Sequence, residues 1–301
     1  MRTMSLNRKL KGTEKIINSL ALKTEREIMK NYAKQLRGMR SKLADVFDRY
    51  FQEGKLDYAE IQKYGRLSKL ERDIIQEVMK LYDDDGKLLR ETLTEVYNTS
   101  YYRTAWAIET ETRARLGYSA VDPKTVQLSI QNPFTGLTLN DRLERHRTNL
   151  IYGLKEELTR GFVNGDTYPQ ISRRIKNLLE GDAGKAIRIV RTESTRIYNA
   201  AQYDSILHAE SQGLEMTKTW ISSRDDRTRE SHEMLDGVTI PVDEPFVIDG
   251  DEGMFPGDFS RAENVINCRC AVQYNVVAIN KPTHDELGDM SFDDWMNDRL
   301  H

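Results

Sequence analysis

Apolar residues recur at helical spacing through most of this chain, and that periodicity limits what it can fold into. In the stretch 41–51, Leu43, Val46, Phe47, Tyr50 and Phe51 fall at i, i+3, i+4, i+7 and i+8, one face of a helix. The stretch 68–82 opens on a capping pair, Ser68 with Glu71, and puts Leu70, Ile74, Val78 and Leu81 on one stripe. From Gly86 to Gly117 the chain reads as one long helix. Its aromatics Tyr97, Tyr101, Tyr102 and Trp106 are expected to pack rather than to offer a nucleic-acid platform.

The helical pattern breaks between 119 and 140, where Pro123, Pro133 and Gly136 interrupt a segment with no apolar stripe; an extended linker is expected there. Helices resume with Leu150, Leu154 and Leu158 in line. One helix is expected after Thr167, with Pro169 in its first turn, and another over 184–211, ended by Gly213. Beyond Gly213 short strand-like pieces alternate with Asp-Gly and Pro-Gly turns. The expected fold class is mainly α: a helical N-terminal region 1–118, a linker 119–140, a helical middle region 141–213 and a small α+β module 214–280. An acidic tail, 281–301, is expected to be loosely held.

No apolar run approaches the roughly 20 residues needed to cross a bilayer, so no membrane span is expected. The basic start lacks the apolar core of a secretory signal. Two cysteines one residue apart cannot build a disulfide framework, which argues for a reducing compartment. The net charge of −3 hides an asymmetry: residues 1–40 carry 11 Lys/Arg against 3 Asp/Glu. Within that head Arg2, Arg8, Lys9, Lys11 and Lys15 are candidate contacts to DNA or to an acidic partner surface. A solvated helix face is the plainer reading of the same residues.

Cys268 and Cys270 flank Arg269. In extended backbone both thiols share one face and Arg269 takes the other. His232 and Asp236, four apart, would lie on one face of a helix. Together the four form a chemically reasonable zinc set, although C-x-C is not the usual C-x2-C spacing. Two buried thiols packed in a core are the other reading. An ion held by His232, Asp236 and Asn267 would instead suit a metal-dependent nuclease, the alternative function.

A series of unusual features then follows in fixed order. Arg191-Thr192-Glu193 and Asn199 lie on a long helix, and Trp220 stands five residues before Asp225-Asp226-Arg227-Thr228-Arg229. After these come His232, Asp236-Gly237, Pro256-Gly257-Asp258 and Asn267-Cys268-Arg269-Cys270. This series resembles the phage head-morphogenesis family, the Mu F-like minor capsid proteins, closely over 165–275 and also in the stretch before it that starts at Asn132. The first 118 residues share only their helical character with it. The resemblance implies a virion component rather than an enzyme. Such a protein would be made in the host cytoplasm and held inside the capsid in a few copies, beside the portal protein. It would assist head assembly and, as in some members, bind double-stranded DNA and leave with it; a nuclease acting on phage DNA is the alternative. The resemblance also marks Glu193, Asn199, Trp220, Asp226, Arg227, Arg229, Asp258 and Asn267 as a structural signature around the His232, Asp236, Cys268 and Cys270 set.

Overall fold

In the computed structural model, which describes residues 5–52, 55, 56, 62 and 65–300, helices α1 (Leu6–Tyr50), β1 (Phe51–Gln52), β2 (Lys55–Leu56) and α2 (Arg66–Thr112) come first. Then come α3 (Pro123–Gln131), α4 (Leu139–Val163) and α5 (Tyr168–Ser211). The remainder is β3 (Leu214–Ile221), α6 (Glu230–Glu233), β4 (Thr239–Pro241), β5 (Phe246–Ile248), β6 (Asp251–Gly253), α7 (Ala262–Val265), β7 (Ala271–Ile279) and α8 (Phe292–Leu300). The fold is mainly α with a small α+β C-terminal part. Among the described residues no helix is long and apolar enough to cross a membrane.

Two compact units are built from non-contiguous segments. One comprises Lys23–Leu89 and Leu139–Ile189; the other comprises Met1–Leu22, Arg90–Thr138 and Val190–His301. In the first, mainly helical, the expected stripes face inward: Leu43, Phe47, Leu70, Ile74, Val78, Leu81, Leu150, Leu154 and Leu158 are buried. Phe47 packs on Phe162 and, edge-on, on Tyr168. A polar cluster interrupts this core. Tyr32 and Tyr82 both donate to Asp182 Oδ2, at 2.7 and 2.6 Å, and Asn31 donates to Asp85 at 2.6 Å.

The long helices run through positions where breaks were expected. α2 starts at Arg66, so Ser68 and Glu71 lie inside it and form no cap. It also passes through Asp83-Asp84-Asp85-Gly86, where the buried Asp85 has Asn31 as its partner. It ends at Thr112, before Gly117, where Arg113 turns to a positive φ of 55°. α5 continues across Gly181 and Gly184 because Ile171, Ile175, Leu179 and Ala183 keep an unbroken i+4 stripe, all buried. The expected linker holds a helix, α3. Asp122 caps it by accepting from the Lys124 N–H, Pro123 opens its first turn, and Val126 and Ile130 are buried. Proline there starts a helix rather than breaking one.

The C-terminal unit holds a three-stranded antiparallel sheet in the order β4-β3-β7 and a separate β5-β6 hairpin. The side-chain amide of Asn7 donates to the Tyr274 carbonyl and accepts its N–H, both at 3.1 Å. It thereby occupies main-chain groups that an edge strand would otherwise expose. The acidic tail is not loosely held. Trp295 is fully buried and donates to Glu109 Oε2 at 2.6 Å, and Arg299 reaches the same carboxylate at 2.8 Å. Trp106 donates to the Met290 carbonyl and stacks edge-on with Phe292. Counting acidic residues missed this because the anchorage is carried by Trp295, Phe292 and Arg299 rather than by the carboxylates. Trp295→Ala should lower unfolding stability by about 3–5 kcal/mol in urea denaturation, whereas Asp293→Ala, on the exposed side, should change it by under ~0.5 kcal/mol.

Candidate functional site

The site assembles where the C-terminal half of α5 meets the loops around β3, α6 and β7. α5 ends at Ser211, and Gly213, at a φ of 99°, lets the chain reverse into β3. β3 alternates strictly, with Leu214, Met216, Lys218 and Trp220 inward. Trp220 is wholly buried and meets three rings edge-on: His232 at 5.5 Å, Phe246 at 5.2 Å and Phe259 at 5.9 Å.

His232 comes from the short helix α6 and is buried with Cys268 and Cys270. Its Nδ1 lies 3.4 Å from Cys270 Sγ and 3.6 Å from Cys268 Sγ. The three ligating atoms lie within 4.8 Å of one another, and no other such group of three is found among the described residues. The two cysteines lie just before β7 yet keep the alternation of extended chain, both inward, with Arg269 outward. Donation to Cys270 and burial push the Cys268 thiol up, while that same neighbour and the imidazole draw Cys270 down.

Asp236 does not join this cluster. α6 ends at Glu233, so the four-residue spacing that would place His232 and Asp236 on one helical face does not apply. Asp236 instead accepts from the Ser222 N–H at 2.8 Å and from Arg224 Nε at 2.9 Å. Asn267 is also elsewhere. It sits at a left-handed turn, φ 56°, exposed, with its N–H on Thr192 Oγ1 at 3.1 Å. The nuclease trio of His232, Asp236 and Asn267 is therefore not assembled.

The signature residues hold backbone. Glu193 pairs with Arg196 at 2.9 Å, and the Arg196 guanidinium donates onward to the carbonyls of Ser129 and Ile130 at 3.1 Å. Asn199 donates to the Pro256 carbonyl at 3.1 Å and lies 3.5 Å from that of Cys270, joining α5 to two loops. Asp258 accepts from the Met254 N–H at 2.9 Å, and burial raises its pKa. Gly257, at a φ of 101°, packs against Arg196 so closely that a Cβ would lie 3.1 Å from the Arg196 Cα. Arg229 donates to the Ile266 carbonyl. Asp226 and Arg227 are exposed. The neighbouring Asp225 does the bonding instead, gripped by Arg269 at 2.5 and 2.7 Å, and this holds its carboxyl well below the usual range.

The basic head divides. Lys9 is buried: its Nζ reaches Thr110 Oγ1 at 2.5 Å and lies 4.7 Å from the Trp106 ring, so it is no surface contact. The helix turns Leu6 and Leu10 into the core and Lys9 with them. Arg8, Lys11 and Lys15 are exposed, at i, i+3 and i+7 on one face. Arg2 lies outside the described residues. Sequence reasoning passed over Arg196, three residues from Glu193 on the same helix, where the spacing alone pairs them. It also passed over Lys218, and it took Asp226 rather than Asp225 from their pair.

Comparison with known proteins places these residues in context. The family model for Phage Mu protein F like protein matches residues 153–273. The minor head protein GP7 of Bacillus phage SPP1 is 34% identical over 263 residues, 87% of this chain and 85% of that protein. An NAD(+)–arginine ADP-ribosyltransferase, EFV, of Enterococcus faecalis is 28% identical over 206 residues, 66% of this chain but 42% of its own length. The uncharacterized Bacillus subtilis protein YqbB is 34% identical over 125 residues, 40% of each chain. No solved structure matches.

Within the matched segment Lys218 is fully buried among core side chains, a position no helix or strand pattern assigns to lysine. Its Nζ donates to the Met254 carbonyl at 2.9 Å and lies about 5 Å from the Tyr203 and Phe246 rings. Burial lowers its pKa to about 8, against the opposing pull of Asp258, Asp243, Glu210 and Glu244. The unfolded chain holds this proton to about pH 10.4. Between pH 8 and 10.4 the unfolded state therefore binds more protons, and this group's contribution to stability rises with pH across that window. Lys218→Met removes the titration. Compared by urea denaturation, the stability of Lys218→Met relative to the parent chain should fall by roughly 2–3 kcal/mol between pH 7.5 and 10.5.

Proposed function

The chain belongs to the Mu F-like family of phage head-morphogenesis proteins, and on that premise we propose that it is a minor head protein of a tailed phage, held inside the capsid beside the portal. The observation that carries this reading is the 34% identity to a minor head protein over 87% of the chain. A relationship confined to one module would leave the whole protein's role open; this one runs through both units. In this reading the chain is made in the host cytoplasm, enters the procapsid in a few copies, and acts by binding rather than catalysis. The transferase relative does not change this, since the chain spans less than half of that protein.

The second part of the reading is contact with packaged double-stranded DNA, and exit with it. Arg8, Lys11 and Lys15 support it as a row of exposed cations on one helical face, carried by a helix end that Asn7 and Lys9 hold in place. Such a row suits phosphates without reading bases.

Two measurements test these parts separately. Procapsids purified from infected cells should contain the chain, and it should co-elute with the portal protein when the two are co-expressed; procapsids that lack it would refute the head role. For DNA, affinity of the purified chain should fall steeply with salt and show no sequence preference. Replacing Arg8, Lys11 and Lys15 by alanine should reduce the slope of log K against log salt by about 2–3, the loss of three phosphate contacts. A slope unchanged by the triple substitution would assign the face to a protein partner.

A further inference from the structure

We propose that Cys268, Cys270 and the Nδ1 of His232 bind one zinc ion, as two thiolates and a neutral imidazole, with Asp236 outside the coordination sphere and one position left to a non-protein donor. The proposal stands on geometry and valence, and does not depend on the head role.

The spacing comes first. Zinc bonds of about 2.3 Å to sulfur and about 2.0–2.1 Å to nitrogen, opened to the tetrahedral angle, set the nitrogen and sulfur atoms about 3.5 Å apart. The two separations here are 3.4 and 3.6 Å. Both sulfurs thus approach the same nitrogen at the edge length of a zinc tetrahedron, from two residues of a C-x-C pair that alternation turns to one side.

A neutral imidazole nitrogen offers either one lone pair or one N–H, so Nδ1 serves only one sulfur directly, and the Cys268 thiol turns to Cys270 instead. A shared cation satisfies all three. Ligation displaces the thiol protons to solvent and leaves the sulfurs at their oxidation state. Two thiolates and a neutral imidazole around Zn2+ sum to zero charge, which suits a site whose three ligands are each no more than 3% exposed. The soft donor set also favours zinc over magnesium or calcium.

The surroundings fix the ligands. A backbone N–H of Ser223 is directed at Cys270, Asn199 lies against the Cys270 carbonyl, Arg229 holds the Ile266 carbonyl, and Trp220 stands edge-on to the imidazole. Asp236 is spoken for by Ser222 and Arg224. These contacts limit how far the three ligands can drift apart, as outer-shell partners do in metal sites.

The test uses the full chain, purified without a metal-affinity tag, equilibrated with zinc and freed of excess. Elemental analysis should find about one zinc per chain, and Asp236→Asn should retain it, while Cys268→Ser, Cys270→Ser and His232→Ala should each lose most of it. Less than about a tenth of an equivalent in folded protein would overturn the proposal, as would equal zinc in the parent chain and in a Cys268→Ser, Cys270→Ser double variant. Should the variants not fold, cobalt added to the metal-free parent chain decides the matter. A thiolate-to-cobalt charge-transfer band supports the site, and its absence overturns it.

Discussion

A guanidinium buried beside its carboxylate organises the C-terminal unit. Arg196 and Glu193 are almost fully enclosed, 3% and 1% exposed, on adjacent turns of α5. Such a pair survives burial only if its remaining donors are also satisfied. Here they are, by the carbonyls of Ser129 and Ile130 in the last turn of α3. The same side chain forms the floor on which Gly257 rests. One ion pair thus fixes the segment before α4, the turn between β6 and α7, and the helix that carries both.

This explains why the series that marks the family reads as unrelated fragments in the sequence. Glu193, Asn199, Pro256-Gly257-Asp258 and Asn267 lie far apart along the chain, yet each bonds or packs where α5 receives a loop. Their types follow from that task. Asn199 offers an amide to two carbonyls, Gly257 supplies a positive φ and no Cβ, and Asn267 accepts a left-handed turn. The residues hold backbone to backbone, so the series is in large part the record of a docking geometry.

How much of this was legible follows the range of each signal. Stripes such as Leu70, Ile74, Val78 and Leu81 repeat within a few turns and were readable without partners. The ends of α5, Pro169 in its first turn and Gly213 after its last, were readable too; its continuity was not, because Gly181 and Gly184 break a helix only when nothing on the same face rewards continuing. Position within the core was harder still. Nothing local announced that Lys218 would lie on the inward face of β3. The C-x-C pair was legible as a shared face, and His232 as its chemical partner. Asp236 was misplaced because the helix assumed between it and His232 lasts only four residues. Asp226 was taken for Asp225 for a related reason: two adjacent carboxylates look alike until Arg269 selects one.

The boundaries of a matched segment and of a folded unit need not coincide, and here they do not. The core around Trp220 takes in Leu6 and Leu10 from the start of α1, Ala105 and Ile108 from the end of α2, Leu116 beyond it, and Trp295 from the tail. None of these lies within 153–273. Asn7 occupies the edge of β7, Tyr118 donates to the Ser205 carbonyl on α5, and Glu109 ties the tail down. The chemically distinctive residues are therefore concentrated in one stretch, while the apolar surface that keeps them dry is drawn from both ends of the chain. A fragment cut at the matched boundaries would expose the inner faces of β3 and β7, and the His–Cys cluster would lose the enclosure on which its geometry rests.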